Sequence, residues 1–211
     1  MKIVLATHNS DKVREITRIL TGLRVTLVAL DEFDGVPEVV EDGCTLEQNA
    51  LKKARAVRDA TGWSALADDT GLEVDALDGA PGIFAARYAG DGATYADNCR
   101  KLLDALRGVA IAERSARFRT VVALALDPVA STRAGGRDAI VAEGILPGTI
   151  TLSARGDDGF GYDPVFYVPE AAKTLAQMTL ADKNTISHRY RALVEIREAA
   201  LRDGLVGEIT Q

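Results

Sequence analysis

The sequence predicts an α/β fold on three observations. Runs of strand length and composition recur at residues 2–6, 24–30 and 63–67. Amphipathic stretches with helix-start and helix-stop signals lie between them, at residues 9–22 and 45–62. The longest strand signal, residues 117–126, follows a third such stretch, so strands and helices alternate along the chain. A length of 211 residues suffices for one domain with a real core, or for two small lobes around a cleft. With 47% hydrophobic and 27% charged residues, the chain has the profile of a soluble globular protein.

Charge and cysteines narrow the function classes. A net charge of -6 argues against a duplex-DNA binder, which needs a broad basic face. It leaves room for a small polyphosphate carried with Mg²⁺, because the metal brings its own positive charge. Cys44 and Cys99 have neither zinc-ligand spacing nor a disulfide framework, so a reducing compartment is expected. The apolar run at residues 3–6 is too short for a signal peptide or a membrane span. A cytosolic protein with no membrane or nucleic-acid partner is expected.

Residues 2–6 read as a buried strand, followed by a polar loop and a helix. Asn9 or Ser10 can cap that helix, Val13, Ile16, Ile19, Leu20 and Leu23 form its apolar stripe, and Gly22 fits its end. Strand, loop and helix N-terminus in succession predict backbone N–H groups ready for an anion, with Lys12 adding a mobile charge. The Walker A pattern is absent. Residues 24–30 read as a second strand, and residues 31–42 as an acidic loop ending in Glu41 and Asp42. Thr45 and Gln48 match a capping box, so a helix is expected from Leu46 to about Ala60, with Gly62 beyond it. Leu46, Ala50, Ala54, Val57 and Ala60 share one face of it; Lys53 falls in the middle of that face, beside Asn49. A lysine there must snorkel, pair with an acid or reach an anion, and Glu41 lies close enough in sequence to share its site.

The run at residues 63–67 ends in Asp68 and Asp69, after which Thr70 and Gly71 are expected to turn the chain. Two acids at the mouth of a buried strand are costly unless they hold a metal, share a proton or act on a substrate. Alternation sends them to opposite sides unless the turn re-aims one; one is expected to face the cleft and the other to brace loop backbone. Residues 72–77 read as another strand and 78–92 as a loop. Thr94 caps the next helix, whose inward stripe makes Cys99 an inert buried thiol. Residues 127–137 read as a loop, and 139–142 and 149–154 as two strands joined by a hairpin at Pro147 and Gly148.

Gly156, Gly159 and Gly161 allow a backbone that approaches a ligand closely, though in an order that differs from the dinucleotide fingerprint. Phe160 sits between two of them, a ring placed to stack on a nucleobase. Thr174 and Gln177 match a second capping box, Lys183 lies in a polar loop, and Ser187, His188 and Arg189 open the last helix. Basic residues at a helix start oppose the helix dipole, which points to a ligand with acceptor atoms.

Taken in order, Thr7, Asn9 and Lys12; Glu41, Gly43 and Thr45; Asn49, Ala50 and Lys53; residues 67–71; Phe160 to Asp163; and residues 187–189 resemble the non-standard purine nucleoside triphosphate pyrophosphatases, the inosine/xanthosine triphosphate pyrophosphatase family. The resemblance covers nearly the whole chain. It implies a long, twisted, mixed sheet with flanking helices, two lobes around a central cleft in one domain over residues 1–211 without a linker, and a homodimer. It further implies Mg²⁺-dependent hydrolysis of ITP, dITP and XTP to the monophosphate and pyrophosphate. Asp69 matches the catalytic acid and a metal ligand, which leaves Asp68 as the brace for the loop; Glu41 matches a second metal ligand, and Lys53 joins the catalytic set. Thr7, His8, Asn9, Ser10, Asp11 and Lys12 match the substrate loop, and Thr70 a substrate contact. Phe160, Gly161, Tyr162, Asp163, Lys183, His188 and Arg189 match the nucleotide-binding positions, with His188 and Arg189 as donors to a 6-oxo group. Three departures stand out: Thr70 where serine is common, Leu46 for a frequent phenylalanine, and His8 for a small residue. The rival readings are a pyrophosphatase for pyrimidine or other modified nucleotides and a non-catalytic nucleotide-binding module.

Overall fold

The computed structural model describes residues 1–209. Its elements are β1 (Lys2–Leu5), α1 (Ser10–Ile19), β2 (Thr26–Ala29), α2 (Leu46–Thr61), β3 (Ser64–Val74), β4 (Pro81–Gly82), α3 (Tyr95–Ala105), β5 (Ser115–Ala125), α4 (Pro128–Arg133), β6 (Ala139–Ile150), β7 (Phe166–Val168), β8 (Lys173–Thr174), α5 (Leu180–Ile186) and α6 (His188–Arg202). The strands form one open mixed sheet in the order β2-β1-β3-β5-β6-β7-β8, with β4 paired to β3. β1 runs parallel to β2 and β3, whereas β3–β4, β6–β7 and β7–β8 are antiparallel.

The chain forms two compact units, and β3, β5 and β6 each contribute residues to both. The first comprises Met1–Asp69, Thr120–Gly144 and the chain from Arg189 onward. Its core joins Ile3 and Leu5 of β1, Ile16 and Ile19 of α1, Leu66 of β3, Val122 and Leu124 of β5, and Leu193 and Ile196 of α6. The apolar stripe expected on α1 is thus the face that is buried. The second comprises Thr70–Arg119 and Ile145–His188, with a core of Leu72, Val74, Leu102, Phe118, Ile150, Phe166 and Leu175.

Caps stop and start the helices largely as read. Asn9 Oδ1 accepts from the N–H groups of Asp11 and Lys12, Thr45 Oγ1 from Gln48 N, and Thr94 Oγ1 from Asp97 N. Gly62 ends α2 at φ 74°, a backbone region that favours glycine.

Four expectations are corrected. The chain does not turn at Thr70 and Gly71: β3 runs unbroken from Ser64 to Val74, and Gly71 keeps an extended backbone. Alternation simply continues, with Leu72 and Val74 buried and Glu73 paired to Arg117 and Arg119. There is no hairpin at Pro147 and Gly148 either, because β6 passes through both. A Cβ at Gly148 would lie 2.5 Å from the Phe166 ring, so the glycine serves close contact with β7 rather than a turn. Residues 128–133 are a short helix, capped by Asp127 Oδ1 on the N–H groups of Val129 and Ala130, with proline in the first turn. Lys183 lies on α5 rather than in a loop, since Thr179 Oγ1 caps that helix through Asp182 N.

Candidate active site

β3 delivers Asp68 and Asp69 to opposite faces, and the two faces differ in chemistry. On one side the Asp69 carboxylate meets the side chains of α2. Lys53 Nζ lies 3.2 Å from Asp69 Oδ1, 3.2 Å from Glu41 Oε2, and donates to the Asp68 carbonyl at 2.8 Å. Asn49 Nδ2 donates to Asp69 Oδ2 at 3.2 Å, while Asn49 Oδ1 accepts from Gly43 N at 2.8 Å. A Cβ at Gly43 would lie 2.6 Å from Asn49 Oδ1, so only glycine lets the Glu41 loop sit this close. Of the alternatives open to a lysine on an apolar helix face, Lys53 takes the acid pair.

On the other side Asp68 is the hub of a buried ionic chain. Arg189 donates to Asp68 Oδ2 from Nε at 3.1 Å and from Nη2 at 2.9 Å, and its Nη1 donates to Glu15 Oε2. Lys12 Nζ stands 3.1 Å from Asp68 Oδ1. Glu15, Asp68 and Arg189 are each 2% exposed or less. Asp68 therefore anchors two cations, Lys12 and Arg189.

The two adjacent acids are pushed apart in acidity. Burial raises the Asp69 pKa, Lys53 opposes this, and Glu41 adds to it, so Asp69 is more basic than an ordinary carboxylate. Burial alone would raise Asp68 as well. Lys12, Arg189 and Lys53 overturn that and hold it far below the usual carboxylate range. Burial lowers the Lys12 pKa although Asp68 favours its charge. Lys53 shows the reverse balance: Asp69, Asp68 and Glu41 outweigh its burial and raise it.

The substrate loop is built differently from expectation. The N–H groups of Asp11 and Lys12 are taken by Asn9 Oδ1, and that of Asn9 by Thr7 Oγ1 at 3.1 Å, so these amides are not held open for an anion. What the loop presents is Lys12. Ser10 is exposed, Asp11 pairs with Arg14, and His8 is exposed and pairs with Asp31 at 2.6 Å.

In the second unit, Phe160, Asp163 and Lys183 come together. Asp163 Oδ2 accepts from Phe160 N at 2.9 Å and from Lys183 Nζ at 2.6 Å. The Lys183 ammonium lies 4.5 Å from the Phe160 ring centroid, and the Tyr95 ring stands 6.0 Å from it. A Cβ at Gly159 would lie 2.2 Å from Asp163 Oδ2, and one at Gly156 would lie 2.3 Å from the Ala176 carbonyl oxygen. These two glycines thus make room for the protein's own groups. Gly161 O accepts from Cys99 Sγ, whose thiol burial pushes up to about 11, keeping it inert. Tyr162 is a core residue whose hydroxyl donates to Ala85 O at 2.8 Å. His188 is buried with its ring 4.6 Å from that of Phe118. Thr70 follows Asp69 on β3 and is partly exposed. Arg189, at 1% exposure, carries its guanidinium on Asp68 and Glu15 in the first unit.

Sequence reasoning passed over Glu15 and left Asn49 out of the catalytic set. Glu15 had a signal: it is a charged residue beside Ile16 and Ile19 on the apolar stripe of α1, the same anomaly that exposed Lys53. Among the described residues there is no group of three or more His, Cys, Asp and Glu side chains able to hold a metal. Any cation here would rest on two carboxylates and on ligand oxygens.

A buried carboxylate on β3 raised in pKa beside the Lys53 ammonium, with Lys12 held on the other face of the same strand, marks an α/β-fold protein with a site suited to an anionic substrate. More particularly, the chain belongs to the Ham1 family, whose profile matches residues 3–199. It is 47% identical over 197 residues to a dITP/XTP pyrophosphatase of Geobacter sulfurreducens, covering 93% of this chain and 95% of that one. It is 48% identical to a dITP/XTP pyrophosphatase of Desulforamulus reducens, with 94% of each chain covered. A HAM1 protein from Coxiella burnetii has the same fold, with a TM-score of 0.84 and 40% identity over 96% of this chain and 99% of that one. These likenesses bear out the resemblance drawn from the sequence.

Proposed function

We propose that this protein is a nucleoside-triphosphate pyrophosphohydrolase that converts ITP, dITP and XTP to the monophosphate and pyrophosphate. The observation that carries the reading is Asp69. It is nearly buried, raised in pKa, oriented by Asn49 and held against Lys53. The names of the relatives support the substrate class.

The water that attacks the α-phosphorus loses its proton to Asp69 as the bond to the bridging oxygen breaks and pyrophosphate departs. Burial makes the carboxylate a better base, and the Asn49 amide fixes its orientation by holding Oδ2. Lys53 and Lys12 offset the charge of the triphosphate. Glu15, Arg189 and Asp68 position Lys12 from behind. Phe160 offers a ring to the base, Lys183 and Asp163 stiffen its surroundings, and Thr70 and His188 complete the nucleotide contacts assigned from the resemblance.

Glu41 and Asp69 fit Mg²⁺, because both carboxylates already converge on one cation, the Lys53 ammonium. Mg²⁺ suits such a pair, since it takes one or two carboxylates and fills its shell with phosphate and water oxygens. When bound, it would neutralise phosphate charge and polarise the bond that breaks. The same reading takes the protein as a cytosolic homodimer that clears deaminated purines from the nucleotide pool. Among the described residues no helix is long and apolar enough to cross a membrane.

The test is a pyrophosphate-release panel with ITP, XTP, GTP, ATP and dTTP, with and without Mg²⁺. The reading expects turnover of ITP and XTP far above that of ATP and dTTP, lost without the metal. Preference for dTTP would point to a pyrimidine substrate, and saturable binding without product to a binding module; either overturns the proposal.

A further inference from the structure

α5 has an unusual inward face. Its buried members are Lys183 and Asn184, both polar. The Lys183 ammonium is accounted for by Asp163 and the Phe160 ring. Asn184 is not: at 7% exposure, neither its Nδ2 nor its Oδ1 has a hydrogen-bond partner among the described residues.

The two other buried asparagines behave as buried amides should. Asn49 bonds Asp69 and Gly43 N, and Asn98 accepts from Ala89 N and donates to Ala86 O. Buried polar groups are almost always satisfied, and leaving both halves of an amide unpaired is costly, so such a group calls for an external partner. The missing partner must offer one acceptor and one donor side by side, because a carboxamide presents the complementary pair. A 6-oxopurine carries that pattern on its lactam edge, with O6 accepting and N1–H donating.

We infer that Asn184 is a base-reading residue, its Nδ2 donating to O6 and its Oδ1 accepting from N1–H of the purine whose ring Phe160 receives. The assignment rests on the 6-oxopurine triphosphate reading above and adds to it the group that recognises the base edge. Lys183 and Asn184 are the two buried members of α5, and the Lys183 ammonium lies 4.5 Å from the Phe160 ring centroid.

The experiment compares kcat/KM for dITP with that for purine 2′-deoxyriboside triphosphate, which lacks O6 and N1–H, in the wild-type enzyme and in Asn184→Leu and Asn184→Asp. A site that hydrogen-bonds a substrate group discriminates strongly against the analogue lacking it. The preference for dITP is expected to fall about tenfold or more in Asn184→Leu, with the thermal midpoint of the nucleotide-free enzyme unchanged or higher, because an unpaired buried amide has been replaced by an isosteric apolar group. Asn184→Asp, which loses the donor, is expected to lose the preference as well, and gives the result should Asn184→Leu fold poorly. An unchanged preference in the variant that folds overturns the assignment and marks the partner as an ordered water. Failure of the wild-type enzyme to release pyrophosphate from dITP overturns the functional reading itself, which separates the two outcomes.

Discussion

Replacing Arg189 by methionine tests whether the buried ionic chain is structural. The guanidinium holds Asp68 Oδ2 through two N–H groups, at 3.1 and 2.9 Å, and Glu15 through a third. In Arg189→Met, Asp68 keeps Lys12 at 3.1 Å, but Glu15, 2% exposed, loses its guanidinium. Removing one partner of a buried ion pair costs about 3–5 kcal/mol, since it strands a charge in a medium that solvates it poorly. For a chain of this size each kcal/mol moves the melting midpoint by about 2–4 °C, so a fall of roughly 6–20 °C is expected. Urea and thermal unfolding at neutral pH measure it. Changing Glu15 to leucine in the same chain should restore part of the loss, because the stranded carboxylate is then gone. The pH dependence gives an independent sign. Asp68 is held below its ordinary pKa, so its contribution is fully present above the unfolded value, near 3.9, and is lost as pH falls toward the folded one. Wild-type stability should therefore drop in acid more steeply than that of Arg189→Met. A melting midpoint within about 2 °C of wild type, with a raised KM for dITP, would refute this reasoning and return Arg189 to direct contact with the base.

Three further outcomes follow from the Asp69 side and from the second unit. Asp69→Asn should cut pyrophosphate release from dITP by at least about 10²-fold with the fold intact, as a purified, cooperatively melting variant would show. Lys53→Met removes the charge that most opposes the raised Asp69 pKa, so the acidic limb of the kcat/KM profile should move to higher pH; a limb that stays in place would disconnect Asp69 from that ionisation. Asp163→Asn weakens a charged acceptor shared by Phe160 N and Lys183, and should raise KM for dITP about tenfold while changing kcat little.

What the sequence made legible depended on whether a residue's partner is local. Helix caps are local: Thr45 and Thr94 read correctly from spacing alone, and Asn9 is one of the two candidates that spacing offered for α1. Lys53 was legible because a charge on an apolar helical face is an anomaly within one element, and Glu15 carries the same anomaly without having been read. The glycines misled for the opposite reason. Gly71 and Gly148 look like turn residues, but each lies inside a continuous strand, and at Gly148 the Phe166 ring of the neighbouring strand leaves no room for a Cβ. Asp127 and Pro128 did carry a local signal, a cap followed by proline in the first helical turn, and the expectation of a loop passed over it. Arg189 is the plainest non-local case. Its acidic partners lie 121 and 174 residues away, and no pattern at the start of α6 shows that its guanidinium is taken by the interior.

The two aspartates show why adjacency in sequence says little about chemical role. Both are buried, and burial pushes both carboxyls toward the neutral form. The difference comes from the face each one takes on β3. Asp68 faces Lys12 and Arg189, stays ionised and thereby fixes the position of Lys12. Asp69 faces one lysine and a second carboxylate, Glu41, so its charge is only partly compensated and its affinity for a proton is raised. A pair of acids driven apart in this way can divide the work, the more acidic member holding cations and the more basic member serving, under the proposed function, as acceptor of the proton. Exchanging the two roles would require moving Arg189, Glu15 and Lys12 to the other face of the strand. For that reason Asp68→Asn should impair stability and the placing of Lys12, whereas Asp69→Asn should impair the proton transfer.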